Sequence, residues 1–152
     1  KTMSRITLLL YKAIVVEFVI ILLTFLVAGM FFAGIENIFE GIFTILQMVF
    51  LPLFIALVPC FLIATVIGQC LKLAKLNNFT YITGIVITFL FLFTAITIGL
   101  VSYYFITEGK LIPIYNFKGA SSFLFYLCGL QTLGVGFWLG GKLFALKQSS
   151  KN

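Results

Sequence analysis

The stretch of sequence that decides the fold class is residues 76–107, which read LNNFTYITGIVITFLFLFTAITIGLVSYYFIT and contain no charged side chain. A helix needs about 20 apolar residues to cross a bilayer, so this stretch is long enough for one span. Three further charge-free stretches cover residues 18–35, 41–71 and 119–141. All four are continuously apolar and do not alternate, which favours helices over the strands of a membrane barrel. We therefore predict an all-α integral membrane protein whose four transmembrane helices pack as a bundle.

The composition of the whole chain agrees with this prediction. Of its 152 residues 62% are hydrophobic and 9% are charged, whereas a soluble domain has about 25% charged residues. The chain is expected to be one four-helix transmembrane domain, residues 1–152, without a soluble domain. The predicted helices cover approximately residues 13–33, 42–71, 79–106 and 121–146. Pro52 and Pro59 each remove a backbone donor and predict a kink in the second helix.

The basic residues are distributed unevenly between the two predicted sides of the membrane. One side carries eight of the ten: Lys1, Arg5, Lys12, Lys72, Lys75, Lys142, Lys147 and Lys151. The other side carries only Lys110 and Lys118. Cytoplasmic segments hold the excess of Lys and Arg in membrane proteins, so both termini are predicted to be cytoplasmic. The preference for Lys over Arg, with much Phe and Ile, is typical of an AT-rich genome and favours a bacterial inner membrane.

Several classes of chemistry lack the residues that they need. The chain has no His and no Asp, so no imidazole can ligate zinc or activate a nucleophile. It has no glycine-rich phosphate loop, and its three cysteines have no Cys-x-x-Cys spacing. No basic, aromatic surface for nucleic acid is present either. We expect a protein that is not an enzyme, with no cofactor, no metal and no nucleic-acid partner.

Glu17 is the only acidic residue within an apolar stretch. A carboxylate at membrane depth is costly when unpaired, and it marks a partner or a function. An ion pair with Lys142 or Lys12 that fixes helix packing is the first interpretation, a proton or cation site is the second, and snorkelling of the side chain to the interface is the third. The depth of Glu17 depends on where the first helix begins. It is roughly 5 Å for a start at Ile14 and roughly 15 Å for a start near Thr7.

Gln131 is the second polar candidate, because it lies near the predicted midplane of the fourth helix. Its amide needs a partner there, and Gln47 of the second helix is the expected one. A contact with a pore or a substrate is the alternative. Small residues at four-residue spacing predict close helix packing. They are Ala56, Cys60, Ala64 and Gly68 in the second helix and Gly136 and Gly140 in the fourth. Such residues serve either packing within the bundle or docking to another subunit.

These observations favour a non-enzymatic multi-pass membrane protein that acts by helix–helix binding. An accessory subunit of a membrane transport or secretion complex fits best, together with an immunity-type protein that blocks a membrane toxin. The alternative is a small homo-oligomeric transporter or channel that uses Glu17. A lipid-modifying membrane enzyme is the third hypothesis. The expected partners are membrane lipids and either another membrane subunit or a second copy of the chain.

Overall fold

The computed structural model describes residues 5–33, 38–71 and 80–149, and their side chains except those of residues 29–33 and 38–49. The described residues form four long helices. These are α1 (Arg5–Ala33), α2 (Ile38–Cys70), α3 (Thr80–Glu108) and α4 (Ile114–Ser149). Each one is long and apolar enough to cross a membrane. The prediction of an all-helical chain with four such helices is therefore confirmed for the part of the chain that is described.

Three helices begin earlier than the charge pattern predicts. Helix α1 begins at Arg5 instead of residue 13, α2 at Ile38 instead of residue 42, and α4 at Ile114 instead of residue 121. Lysine and arginine side chains reach water along the surface of a helix, so a charge limits an apolar stretch without ending the helix. The loop expected at residues 107–120 is consequently reduced to residues 109–113.

The short connection between α3 and α4 has a defined backbone. Gly109 has a φ of 65°, and its N–H donates to the carbonyl of Phe105 at 3.1 Å. A left-handed residue of this kind closes many helices, and glycine adopts it without steric cost. The carbonyl of Pro113 accepts a hydrogen bond from the N–H of Phe117 at 2.9 Å and so starts α4. This connection makes α3 and α4 antiparallel neighbours.

Helix α2 continues through both of its prolines, Pro52 and Pro59. The helix is not interrupted at either proline, and the kink there stays a prediction. Each helix packs on the next one along the chain, and α1 also packs on α4, so that the four helices form a closed ring. A hydrogen bond of 2.8 Å between Tyr11 and Thr65 joins the start of α1 to the last turns of α2. The result is an up-and-down bundle with its buried side chains between the four helices.

Helices α3 and α4 approach each other closely through their glycines. A Cβ atom added at Gly84 would lie 2.5 Å from the carbonyl oxygen of Gly136. One added at Gly140 would lie 2.6 Å from the Cα of Tyr81. Only glycine leaves room for the two backbones at these positions. Both predicted packing residues of α4 therefore face α3, inside the bundle.

The predicted packing residues of α2 also face the interior. Ala56, Cys60 and Ala64 are buried. Gly68 lies against α1, where a Cβ would meet the side chain of Thr7. The small residues of both helices are thus used for contacts within the chain.

Candidate functional site

Glu17 lies on the buried face of α1. The buried residues of this helix follow steps of three and four, which place them on one side of the helix. They are Ile6, Thr7, Leu10, Ala13, Ile14, Glu17 and Ile21. The Glu17 side chain is 4% exposed. Because α1 begins at Arg5, Glu17 lies roughly 18 Å from the first residue of the helix by the helical rise.

One carboxyl oxygen of Glu17 has a partner from α4. The hydroxyl of Thr132 donates to Oε1 at 2.9 Å. The other oxygen, Oε2, is buried and has no hydrogen-bond partner among the described residues. The site therefore offers one unoccupied acceptor in an apolar interior.

Neither of the expected cationic partners reaches Glu17. Lys142 and Lys12 are both exposed. Lys142 lies ten residues beyond Thr132, which is roughly 15 Å along α4. The ion pair expected from the sequence is therefore replaced by the hydrogen bond from Thr132. The expectation assumed that Lys142 lies at about the same depth as Glu17.

The hydroxyl of Thr132 has two acceptors within reach and only one hydrogen. Its Oγ1 lies 2.9 Å from Oε1 of Glu17 and 3.0 Å from the carbonyl oxygen of Cys128. A carboxylate accepts the hydrogen of Thr132. A carboxylic acid can instead donate to Thr132, which then donates to Cys128. The same heavy-atom positions thus accommodate Glu17 with and without a proton.

Other polar groups surround this pair without supplying a charge. The hydroxyl of Thr88 on α3 donates to the carbonyl of Ile85 at 2.9 Å and lies 3.4 Å from the carbonyl oxygen of Thr132. The thiol of Cys60 on α2 lies 3.6 Å from the carbonyl oxygen of Phe91. Over the described residues, no group of three His, Cys, Asp or Glu side chains is placed to hold a metal ion.

Two neighbouring spaces lie near Glu17, which lines the smaller of them. The first is a cavity of about 20 Å³ against the carboxyl group, which we call the head cavity; Cys60 also lines it. It has room for one group of the size of water. The second is an apolar cavity of about 220 Å³ between all four helices, which we call the body cavity. Both cavities are lined by Ile21, Leu53, Leu92 and Ala95.

The body cavity extends away from Glu17 along α3. Its α3 lining runs from Leu92 to Tyr103, a length of roughly 16 Å by the helical rise. Gly99 and Pro52 form part of its wall. The carboxyl group of Glu17 lines the head cavity, which shares four lining residues with this long apolar space.

Gln131 lies apart from this arrangement. Its side chain is partly buried and lines an open groove between α1 and α4 together with Thr24. Its Oε1 is buried and has no hydrogen-bond partner among the described residues. The side chain of Gln47, its expected partner, lies outside the described residues. Gln131 and Glu17 thus belong to different parts of the bundle.

Sequence reasoning did not identify the role of Thr132 or the two cavities. The available signal was the four-residue spacing of Cys128, Thr132 and Gly136, all of which the structure buries on one face of α4. No family model matches the chain, and no curated protein or solved structure has significant similarity to it.

Proposed function

We propose that this chain is a small multi-pass membrane transport protein in which Glu17 binds and releases the transported proton or cation. One observation carries the proposal: Oε2 of Glu17 is buried, has no hydrogen-bond partner within the described part of the chain, and borders a cavity. An ionisable residue at membrane depth is costly and generally marks a transport pathway or a partner. A carboxyl group that served packing alone would be expected to use both oxygens in the fold.

The hydrogen bonds of Thr132 give further support. Thr132 can donate either to Glu17 or to the carbonyl of Cys128. Gain and loss of a proton at Glu17 then require only a rotation of one hydroxyl. A group that cycles between two protonation states benefits from a site that satisfies both.

Helix–helix binding to another membrane protein, the first hypothesis from the sequence, receives less support. It relied on the absence of catalytic groups, on the lack of a soluble domain and on stripes of small residues, and the last of these are used within the chain. Gly84 of α3 packs against Gly136 and Gly140 of α4 within the chain. Ala56 and Ala64 of α2 are buried. Purification in mild detergent tests this alternative. A foreign membrane protein at fixed stoichiometry would favour it, whereas a homo-oligomer fits the transport proposal.

The decisive experiment measures ion flux in liposomes that contain the purified protein. A pH-sensitive dye inside the vesicles reports proton entry when valinomycin and a potassium gradient impose a membrane potential. Wild type is compared with Glu17→Gln and with the matched control Glu108→Gln. Glu108 is exposed at the end of α3, so its substitution leaves the site intact.

We expect wild type and Glu108→Gln to admit protons several times faster than Glu17→Gln and protein-free vesicles. A second series omits valinomycin, replaces the dye by indicators for sodium and potassium, and tests whether a metal cation is carried instead. Equal fluxes for wild type, Glu17→Gln and empty vesicles with all three ions would refute the proposal.

A further inference from the structure

We infer that the body cavity and the head cavity together bind a small amphipathic molecule that has an apolar body and a primary amine at one end. The inference rests on the proposed function, since it names a substrate class for the same carboxyl group. The pathway would then carry the amine as well as, or in place of, an ion.

The body cavity sets the size and polarity of the ligand. Its volume is about 220 Å³, and nearly all of its lining residues are apolar. An apolar cavity of about 150 Å³ binds benzene, so by proportion this one takes roughly nine nonhydrogen atoms. Apolar surface that enters such a space is stabilised by its removal from water.

The head cavity selects the polar end of the ligand. Oε2 of Glu17 is an acceptor to which no described residue donates, and the space against it is about 20 Å³. A primary ammonium group is about the size of water, carries three N–H donors and opposes the charge of a carboxylate. A trimethylammonium group has the charge but neither the donors nor the small size. A ligand carboxylate would be repelled.

Gly99 provides a variant that fills the body cavity. It lines the cavity, and a Cβ added there would meet only the carbonyl oxygen of Pro52, at 3.9 Å. A leucine at this position can therefore occupy the ligand space without displacing a backbone. Gly134 is the matched control, because a Cβ there has no neighbour within 4 Å and the residue lines neither cavity.

The test is equilibrium binding of radiolabelled 2-phenylethylamine to the full chain in lipid nanodiscs, with empty nanodiscs as background. We expect saturable binding of one molecule per chain for wild type and Gly134→Leu, and its loss in Gly99→Leu. Glu17→Gln should weaken binding by more than about tenfold, which corresponds to about 1.4 kcal/mol. If Gly99→Leu does not fold, Ala95→Ile adds a smaller volume to the same cavity and should weaken binding.

Matched ligands test the polar end. 2-Phenylethanol keeps one donor and should bind more weakly than the amine, while phenethyltrimethylammonium and 3-phenylpropionate should not compete. No saturable amine binding to wild type, equal binding to Gly99→Leu and Gly134→Leu, or competition by the trimethylammonium compound as strong as that of the amine would overturn the inference. Amine binding without ion flux would support this site and refute ion transport. Ion flux without amine binding would refute this inference alone.

Discussion

Glu17 combines one satisfied and one unsatisfied oxygen in the same buried side chain. The hydroxyl of Thr132 donates to Oε1, whereas Oε2 has no partner among the described residues. A buried polar atom without a hydrogen bond costs about 1–3 kcal/mol. A ligand with a donor group would recover this free energy on binding, which makes the site responsive to what enters the cavity.

Thr132→Val removes the hydroxyl that donates to Glu17 and leaves both carboxyl oxygens without a protein donor. We expect the free energy of unfolding to fall by about 1–3 kcal/mol, measured by denaturant titration in detergent micelles. Thr132→Ser keeps the hydroxyl and should retain most of the stability. Equal losses in the Val and Ser variants would show that the hydrogen bond of Thr132 contributes no more to stability than its methyl group does.

Glu17→Leu combined with Thr132→Val removes the polar pair as a unit. Replacement of both partners by apolar groups of similar shape is nearly neutral or stabilising, so we expect the double variant to be at least as stable as Thr132→Val alone. The coupling free energy follows from the two single variants and the double variant in the same unfolding assay. A double variant less stable than either single variant would contradict a functional origin for Glu17 and favour a packing role.

At the scale of the helices, the contact between α3 and α4 holds the site together. Glycines at 84, 136 and 140 let the two backbones approach closely. This approach places Thr88 of α3 beside Thr132 of α4. Helix α1 then packs on the same part of α4 through the hydrogen bond between Thr132 and Glu17. The small residues therefore determine the position of the polar ones.

Gly84→Val should separate α3 from α4, because its Cβ would lie 2.5 Å from the carbonyl oxygen of Gly136. Overpacking of this kind costs about 1–3 kcal/mol or more. The free energy of unfolding in micelles is the measurement. The control is Gly134→Val, whose Cβ has no neighbour within 4 Å. Comparable stability of the two variants would mean that α3 and α4 do not depend on the close glycine contact.

At the scale of the whole molecule, the outer surface of the bundle is apolar. Exposed large hydrophobic side chains occur on all four helices, as expected where lipid replaces water. The basic residues at the ends of the helices predict the orientation across the membrane. We expect the start of α1 and the end of α4 to face the cytoplasm.

Cys70 tests the orientation without any substitution. It is exposed at the end of α2, while Cys60 and Cys128 are buried. A membrane-impermeant maleimide should leave Cys70 unmodified in intact cells and label it after permeabilisation, because that end of α2 is predicted to be cytoplasmic. The variant Cys70→Ser with Lys110→Cys should show the opposite pattern. Labelling of Cys70 in intact cells would invert the predicted topology.

The sequence by itself determined the helical class and the number of helices. In the absence of water, a continuously apolar stretch can form all of its backbone hydrogen bonds within itself only as a helix. Four such stretches therefore predict four membrane-spanning helices. Their ends were less well defined, because Arg5 and Lys118 extend from helical positions. Glu17 was identifiable as the only acid in an apolar stretch.

Only the tertiary structure decided what Glu17 contacts. Thr132 is 115 residues away in the chain, and the pairing depends on the depth and rotation of α1 against α4. The head cavity and the body cavity are each lined by side chains from several helices. No local sequence pattern predicts the contact between Glu17 and Thr132 or the two cavities. Hydrophobic periodicity defines which face of a helix is buried, but it does not specify which residue of another helix contacts that face.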